Sequence, residues 1–212
     1  MKRRKTLTLV FDLDGTLYDA TGMDKQNKKA AIVAISTARA ISIPEAEKIL
    51  LSKLEDSRES VSSSLRSLGI TDKEFEHWQL EEIKPAEVLT HDAELVAVLK
   101  QAKERFQTVL FTNTRRTIAL EALTTLGLEV SDFDYVFAGG DFTDPKPSVS
   151  SLKDILEAVG ASPAQTYTIG DRWKIDHAPG IELGTHAVPV SGRDALLTWL
   201  RSTLSKSQDS QI

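Results

Sequence analysis

The sequence predicts an α/β fold: a Rossmann-like doubly wound parallel sheet core with a small inserted α-helical domain. Five short β-leaning apolar runs occur along its 212 residues, at 7–11, 108–111, 135–138, 166–169 and 186–190. Helical patterns lie between and after the later runs, at about 92–105, 115–126, 148–159 and 193–204. Strands alternating with helices read as a parallel sheet covered on both faces. Residues 19–89 break the alternation and read as consecutive helices without a strand. The chain therefore divides into an α/β core of residues 1–18 and 90–212 and a helical domain of residues 19–89.

The first run, Leu7–Phe11, leads directly into Asp12-Leu13-Asp14-Gly15-Thr16. Side chains at i and i+2 leave a strand on the same side, so the two carboxylates are expected to converge at the strand tip. Gly15 lets the chain turn there without a side chain in the way. Two adjacent carboxylates repel unless a cation or a proton intervenes, so a plain structural strand has no use for the pair.

The helical domain carries four apolar stripes: Ala31, Ala34, Ile35 and Ala38; Ala46, Ile49, Leu50 and Leu54; Val61, Leu65 and Leu68; and a weaker one through Phe75, Gln79 and Ile83 beside Trp78. Ser42-x-x-Glu45 and Thr71-x-x-Glu74 are capping-box patterns at two of the starts. Further on, Gly127 and Gly160 stand where helices end, and Ser148 where one begins. The polar tail 205–212 is expected to fray.

Open parallel sheets bind ligands at the C-terminal ends of their strands, so the residues following each run are the candidate site. After the second run come Thr112 and Asn113, expected at a helix start with Arg115 and Arg116, which read as helix-face residues. After the third, past Gly139-Gly140-Asp141, comes Asp144-Pro145-Lys146-Pro147-Ser148. The fourth is followed by Gly170-Asp171-Arg172-Trp173-Lys174-Ile175-Asp176, where Trp173 is expected to pack its loop against the core. His77, His91, His177 and His186 show no ligand spacing and are assigned no role.

Composition narrows the function further. Apolar residues make up 41% and charged residues 27%, ordinary for a globular chain. A net charge of −5 argues against a broad nucleic-acid surface. The dense basic run Lys2-Arg3-Arg4-Lys5 reads as a solvated lead-in to the first strand. The apolar run after it is too short for a signal peptide, and no stretch is long enough to span a bilayer. There is no cysteine, which excludes disulfides, thiol catalysis and thiolate zinc sites. The expected setting is cytoplasmic, with neither nucleic acid nor membrane as partner, and the polar groups at the strand ends suit a small phosphorylated metabolite and a divalent metal.

The four strand-end groups, taken in order, resemble the motifs of the haloacid dehalogenase-like (HAD) hydrolase superfamily. Asp12–Thr16 resembles its DxDGT motif, Val109-Leu110-Phe111-Thr112 its apolar strand ending in Thr or Ser, Lys146 its lysine, and Asp171 to Asp176 its GDxxxxD motif. Where the family often has a second proline two residues after Lys146-Pro147, this chain has Val149. The helical insertion looks like the cap of the helical-cap phosphatase subgroup. Asp12–Tyr18 together with Phe111-Thr112-Asn113 is similar to the pyrimidine 5′-nucleotidase branch.

The resemblance implies a role for each residue. Asp12 would attack phosphorus and form an aspartyl-phosphate. Asp14 would act as acid and then base. Thr112 and the backbone N–H of Asn113 would hold phosphoryl oxygens, and Lys146 would offset the negative charge. Mg²⁺ would be held by Asp12, Asp171 and the backbone carbonyl of Asp14, with Asp176 orienting Lys146 or a metal-bound water. Tyr18 and Asp19 occupy positions that commonly face substrate in the superfamily. Phosphomonoester hydrolysis, with a nucleoside monophosphate or sugar phosphate as substrate, is the implied reaction. The alternatives are a phosphomutase of the same fold and a non-catalytic phosphometabolite-binding protein.

Overall fold

A computed structural model describes residues 5–57 and 60–209. It opens with strand β1 (Thr8–Phe11) and enters five helices: α1 (Thr21–Arg39), α2 (Ile43–Ser57), α3 (Val61–Ser67), α4 (Asp72–Glu82) and the short α5 (Pro85–Val88). Alternation then follows with α6 (Ala93–Arg105), β2 (Gln107–Arg115), α7 (Arg116–Leu126), β3 (Tyr135–Gly139), α8 (Val149–Ala158), β4 (Thr166–Gly170), α9 (Ala178–Leu183), β5 (His186–Pro189) and α10 (Arg193–Asp209). The chain forms two compact units, Met1–Ala20 with Leu89–Ile212, and Thr21–Val88.

In the first unit the strands are all parallel, in the order β3-β2-β1-β4-β5. β1 is central and all four of its residues are buried, as expected of a strand covered on both faces. Val10 pairs with Val109. With Phe111 they meet Leu152, Ile155, Leu156 and Val159, which seats α8 on one face of the sheet. Right-handed crossovers place α6 and α7 on the opposite face. There α6 and α10 pack together, burying Leu95, Leu99, Leu196 and Leu200. From β1 the chain moves to β2 on one side and reaches β4 on the other only after reversing direction. The crevice beyond β1 is therefore the switch point of the sheet, where such folds bind ligands.

The second unit has its own core of Ala30, Ala31, Ala34, Ile35, Ala46, Leu50, Leu65, Ile70 and Phe75. Its first stripe also takes in Ala30 and ends a turn earlier than expected, at Ile35, with Ala38 exposed near the helix end. The Thr71–Glu74 capping box forms in full. At α2 the Ser42 backbone N–H and hydroxyl both donate to Glu45.

The structure departs from the sequence expectations in three further places. β2 runs on through Thr112, Asn113 and Thr114 to Arg115, with a register irregularity against β3 between Phe111 and Arg115. Thr112 and Asn113 thus lie on strand backbone, and α7 begins only at Arg116. The expected fraying tail continues α10 as far as Asp209, with the Arg105 guanidinium bonded to the Leu204 carbonyl at 2.5 Å; residues 210–212 lie outside the described part. Of the basic lead-in, residues 2–4 also lie outside the described part, and Lys5 pairs with Asp134 at 2.7 Å.

Candidate active site

Asp12 is the first residue past β1 and still belongs to the ladder, its N–H donating to the Ile169 carbonyl at 2.9 Å. That bond fixes the carboxyl between the tips of β1 and β4, where it is 3% exposed. Lys146 Nζ donates to Asp12 Oδ1 at 2.6 Å and to Asp176 Oδ1 at 2.7 Å. It also lies 5.2 Å from the centre of the Phe111 ring. Burial works against its charge, but the two carboxylates outweigh burial and hold its pKa above the ordinary lysine value. Burial likewise pushes the Asp12 carboxyl up, to about 6. Lys146 opposes that rise, while Asp176 and Asp14 add to it. The second Asp12 oxygen, Oδ2, is buried without a hydrogen-bond partner, and the Arg172 guanidinium stands 4.0 Å away. A buried charged oxygen left bare is costly unless a ligand completes it.

Asp12, Asp171 and Asp176 each bring a carboxylate oxygen within 4.8 Å of the others, a group able to hold a cation among the described residues. Their present partners separate the three. Both oxygens of Asp176 are engaged, Oδ1 by Lys146 and Oδ2 by the Arg172 N–H at 3.0 Å. Asp12 keeps Oδ2 bare, and Asp171 has the Arg172 guanidinium 3.6 Å away. Two glycines make this convergence sterically possible. A Cβ on Gly15, whose φ is +75°, would meet Asp171 Oδ2 at 2.6 Å; one on Gly170 would meet the Asp176 Cβ at 2.5 Å. A donor set made only of oxygens, crowded together where Gly15 and Gly170 leave room for no Cβ, suits Mg²⁺.

Asp14 reaches the site differently from the i, i+2 expectation. β1 ends at Phe11, so the strand alternation does not extend to Asp14. A tight turn brings it in instead: Leu17 N–H bonds the Leu13 carbonyl at 2.9 Å, and Asp14 bridges to Tyr18. The Tyr18 hydroxyl donates to Asp14 Oδ1, and the Thr114 hydroxyl donates to Oδ2 at 2.5 Å. Tyr18, expected to face substrate, is 4% exposed and turned onto Asp14.

Thr112 and Asn113 sit at the tip of β2 as the motif order requires, but their side chains are otherwise engaged. Thr112 Oγ1 accepts from the Thr114 N–H at 3.1 Å. The Asn113 amide spans the Lys146 backbone, accepting from its N–H at 2.8 Å and donating to its carbonyl at 2.9 Å. Asn113 thus ties the Lys146 loop to β2.

This arrangement coincides with a sequence-family match: the haloacid dehalogenase-like hydrolase profile matches residues 6–184. The chain belongs to the haloacid dehalogenase-like hydrolase family. Three solved structures illustrate the likeness in fold. The HAD phosphatase from Thermococcus onnurineus is 19% identical, with a TM-score of 0.64 over 94% of this chain and 98% of its own. A hydrolase from Pseudomonas syringae is 20% identical, with a TM-score of 0.65 over 93% and 90%. A HAD family enzyme from Bacteroides thetaiotaomicron, solved with magnesium and inorganic phosphate, is 18% identical, with a TM-score of 0.54 over 87% and 94%. Comparison with curated protein sequences finds no match.

Within this HAD site, sequence reasoning missed Thr114 and His177 and misjudged Tyr18 and Trp173. Tyr18 was not linked to Asp14, and Thr114 was not considered. The bend of the turn after β1 makes the first contact, and the pairing of β1 with β2 makes the second. His177, assigned no role, is fully buried, its ring nitrogens 3.2 Å from the Thr168 hydroxyl and 3.1 Å from the Gly170 carbonyl. It braces the π-helical turn Trp173–His177 that carries Asp176. Trp173, expected to pack inward, is 55% exposed, because that turn begins by turning its first residue outward. Arg116 pairs with Asp141 on the surface, in keeping with a helix-face role, and Arg115 occupies the N-cap position of α7 without a side-chain capping hydrogen bond. Among the described residues no helix is long and apolar enough to cross a membrane.

Proposed function

We propose that this HAD hydrolase is a Mg²⁺-dependent phosphatase that hydrolyses a small phosphomonoester through an aspartyl-phosphate on Asp12. The observation that carries the reading is the asymmetry of the Asp12 carboxylate, one oxygen held by a buried lysine and the other buried and bare. A nucleophile needs one oriented lone pair left unused.

Asp12 Oδ2 attacks phosphorus and the ester P–O bond breaks. Asp14 gives its proton to the departing alkoxide, releasing an alcohol. Water then attacks the aspartyl-phosphate, Asp14 takes its proton, and the P–Oδ2 bond breaks to release inorganic phosphate. Lys146 offsets charge on the nucleophile and the transferred group. Thr112 and the Asn113 N–H bind phosphoryl oxygens from the tip of β2. Asp12, Asp171 and the backbone carbonyl of Asp14 would hold Mg²⁺, which supplies charge neutralisation for the phosphoryl group. Asp176, with both oxygens already engaged, positions Lys146 and the Arg172 backbone instead. The helical unit Thr21–Val88 serves as the cap that selects substrate. A nucleoside monophosphate or a sugar phosphate is the substrate class, and the cytoplasm the setting.

The test is a Mg²⁺-dependent phosphate-release screen over nucleoside monophosphates, sugar phosphates and phosphoglycolate, with Asp12→Asn as control. The expected result is a hit that disappears in Asp12→Asn while the variant melts like wild type. Turnover surviving in that variant refutes the nucleophile. A folded, Mg²⁺-binding protein that releases no phosphate from any ester refutes the phosphatase reading.

A further inference from the structure

We infer that Tyr18 and Thr114 are positioning residues for the acid–base step, a pair of hydroxyls that fixes the Asp14 carboxyl plane toward the leaving oxygen. The inference rests on the phosphatase reading above and adds residues outside the four motifs. Asp14 sits in a turn rather than on a strand, so neither sheet ladder nor helix fixes its side chain. A carboxyl free to rotate would present the wrong oxygen much of the time, and a small misplacement of an acid costs orders of magnitude in rate.

The structure removes that freedom from two directions. Tyr18 comes from the same turn, its buried phenol donating to Oδ1. Thr114 comes from the unexpected extension of β2, its hydroxyl donating to Oδ2 at 2.5 Å. Thr114 is itself fixed, because its N–H is bonded to the Thr112 hydroxyl at 3.1 Å. The residue count of β2 past Phe111, including its irregularity against β3, thereby acquires a purpose: it places Thr114, the second hydroxyl residue of the extension, where the carboxyl of Asp14 lies.

The chemistry of the clamp also suits a group that alternates between acid and base. A hydroxyl can donate to a carboxylate or accept from a carboxylic acid, so the same two residues hold either form. A lysine or arginine could hold only the anion. Asp12, by contrast, is held by a cation and keeps a bare oxygen. Two carboxylates of one motif are thus given different partners suited to different tasks.

The experiment compares the intact chain with Thr114→Val, Thr114→Ser and Tyr18→Phe, all assayed with Mg²⁺. Each is measured on p-nitrophenyl phosphate and on whichever of AMP, ribose 5-phosphate and glucose 6-phosphate the wild type turns over fastest. Nitrophenolate leaves as a stable anion and needs little help from an acid, whereas an alkoxide needs its proton. Thr114→Val and Tyr18→Phe are expected to lower kcat/KM on the alkyl ester by about 100-fold, and on p-nitrophenyl phosphate by less than about fivefold. The loss should fall on kcat with KM nearly unchanged, and Thr114→Ser should stay within about threefold of wild type. Equal losses on both esters, or no loss on the alkyl ester, overturn the positioning role while leaving the phosphatase reading intact. A wild-type protein inactive on every ester overturns both.

Discussion

Gly15→Ala tests whether the carboxylate cluster is a cation site. The substitution has two costs that the structure separates. The backbone cost arises because Gly15 has φ +75°, and a left-handed conformation costs a residue with a Cβ about 1–2 kcal/mol. The steric cost is local to Asp171: the new Cβ would lie 2.6 Å from Oδ2, whereas ordinary contact begins at about 3.4 Å, so the carboxylate must retreat by roughly 0.8 Å. A displacement of that size at a proposed ligand should weaken Mg²⁺ binding about 10- to 100-fold, comparable to losing a group that orients a metal ligand. Gly160→Ala is the control, because its φ of +67° carries the same backbone cost with nothing within 4 Å of the added Cβ. Both variants should lose about 2–8 °C in Tm, given about 2–4 °C per kcal/mol for a chain of this size. Calorimetric titration with Mg²⁺ should then find Gly160→Ala like wild type and Gly15→Ala much weaker. Equal affinity in the two variants would refute the assignment of Asp171 to the metal.

Two other predictions concern charge. Lys146→Ala removes the ammonium bonded to Asp12 and Asp176, and the rate of phosphate release should fall about 10²–10³-fold or more; a rate within tenfold of wild type in a steady-state assay sinks its role. Asp92 caps α6 by accepting from the Leu95 N–H at 2.9 Å and holds Arg193 through bonds of 2.7 and 2.8 Å. The Arg193 hydrogen bonds lower its pKa, so its contribution is fully present above the unfolded carboxyl pKa of about 4 and is lost as pH falls through the lower folded value. Asp92→Ala should therefore cost about 1–2 kcal/mol in urea denaturation at pH 7, a gap that narrows below about pH 4; a gap that widens on acidification would contradict the pairing.

The α/β alternation was legible because parallel strands buried on both faces must be short and apolar, and crossover helices must carry a stripe. The four strand-end groups were legible because their chemistry is written in residue type: acids, a lysine and a hydroxyl have few reasons to recur at successive strand tips. Boundaries were less legible where polar residues continue an element. Thr112, Asn113 and Thr114 look like a loop by composition, yet they extend β2 because the backbone irregularity against β3 accommodates them. Trp173 was misread for a related reason: an indole usually supplies buried area, but here the π-helical turn that buries Asp176 and His177 leaves its first residue outside.

What the sequence by itself determined is therefore the kind of fold, the family and the identity of the polar groups, since these depend on periodicity and on residue chemistry. What only the tertiary structure decided is which oxygen each group uses. Asp12 and Asp14 are two residues apart and chemically identical, yet one meets Lys146 from beyond β3 and the other meets Thr114 from β2 and Tyr18 from its own turn. Those partners lie 134, 100 and 4 residues away along the chain. Spacing along the chain carries no information about which of them arrives at which oxygen, because that depends on strand order, on register and on the bend of a single turn.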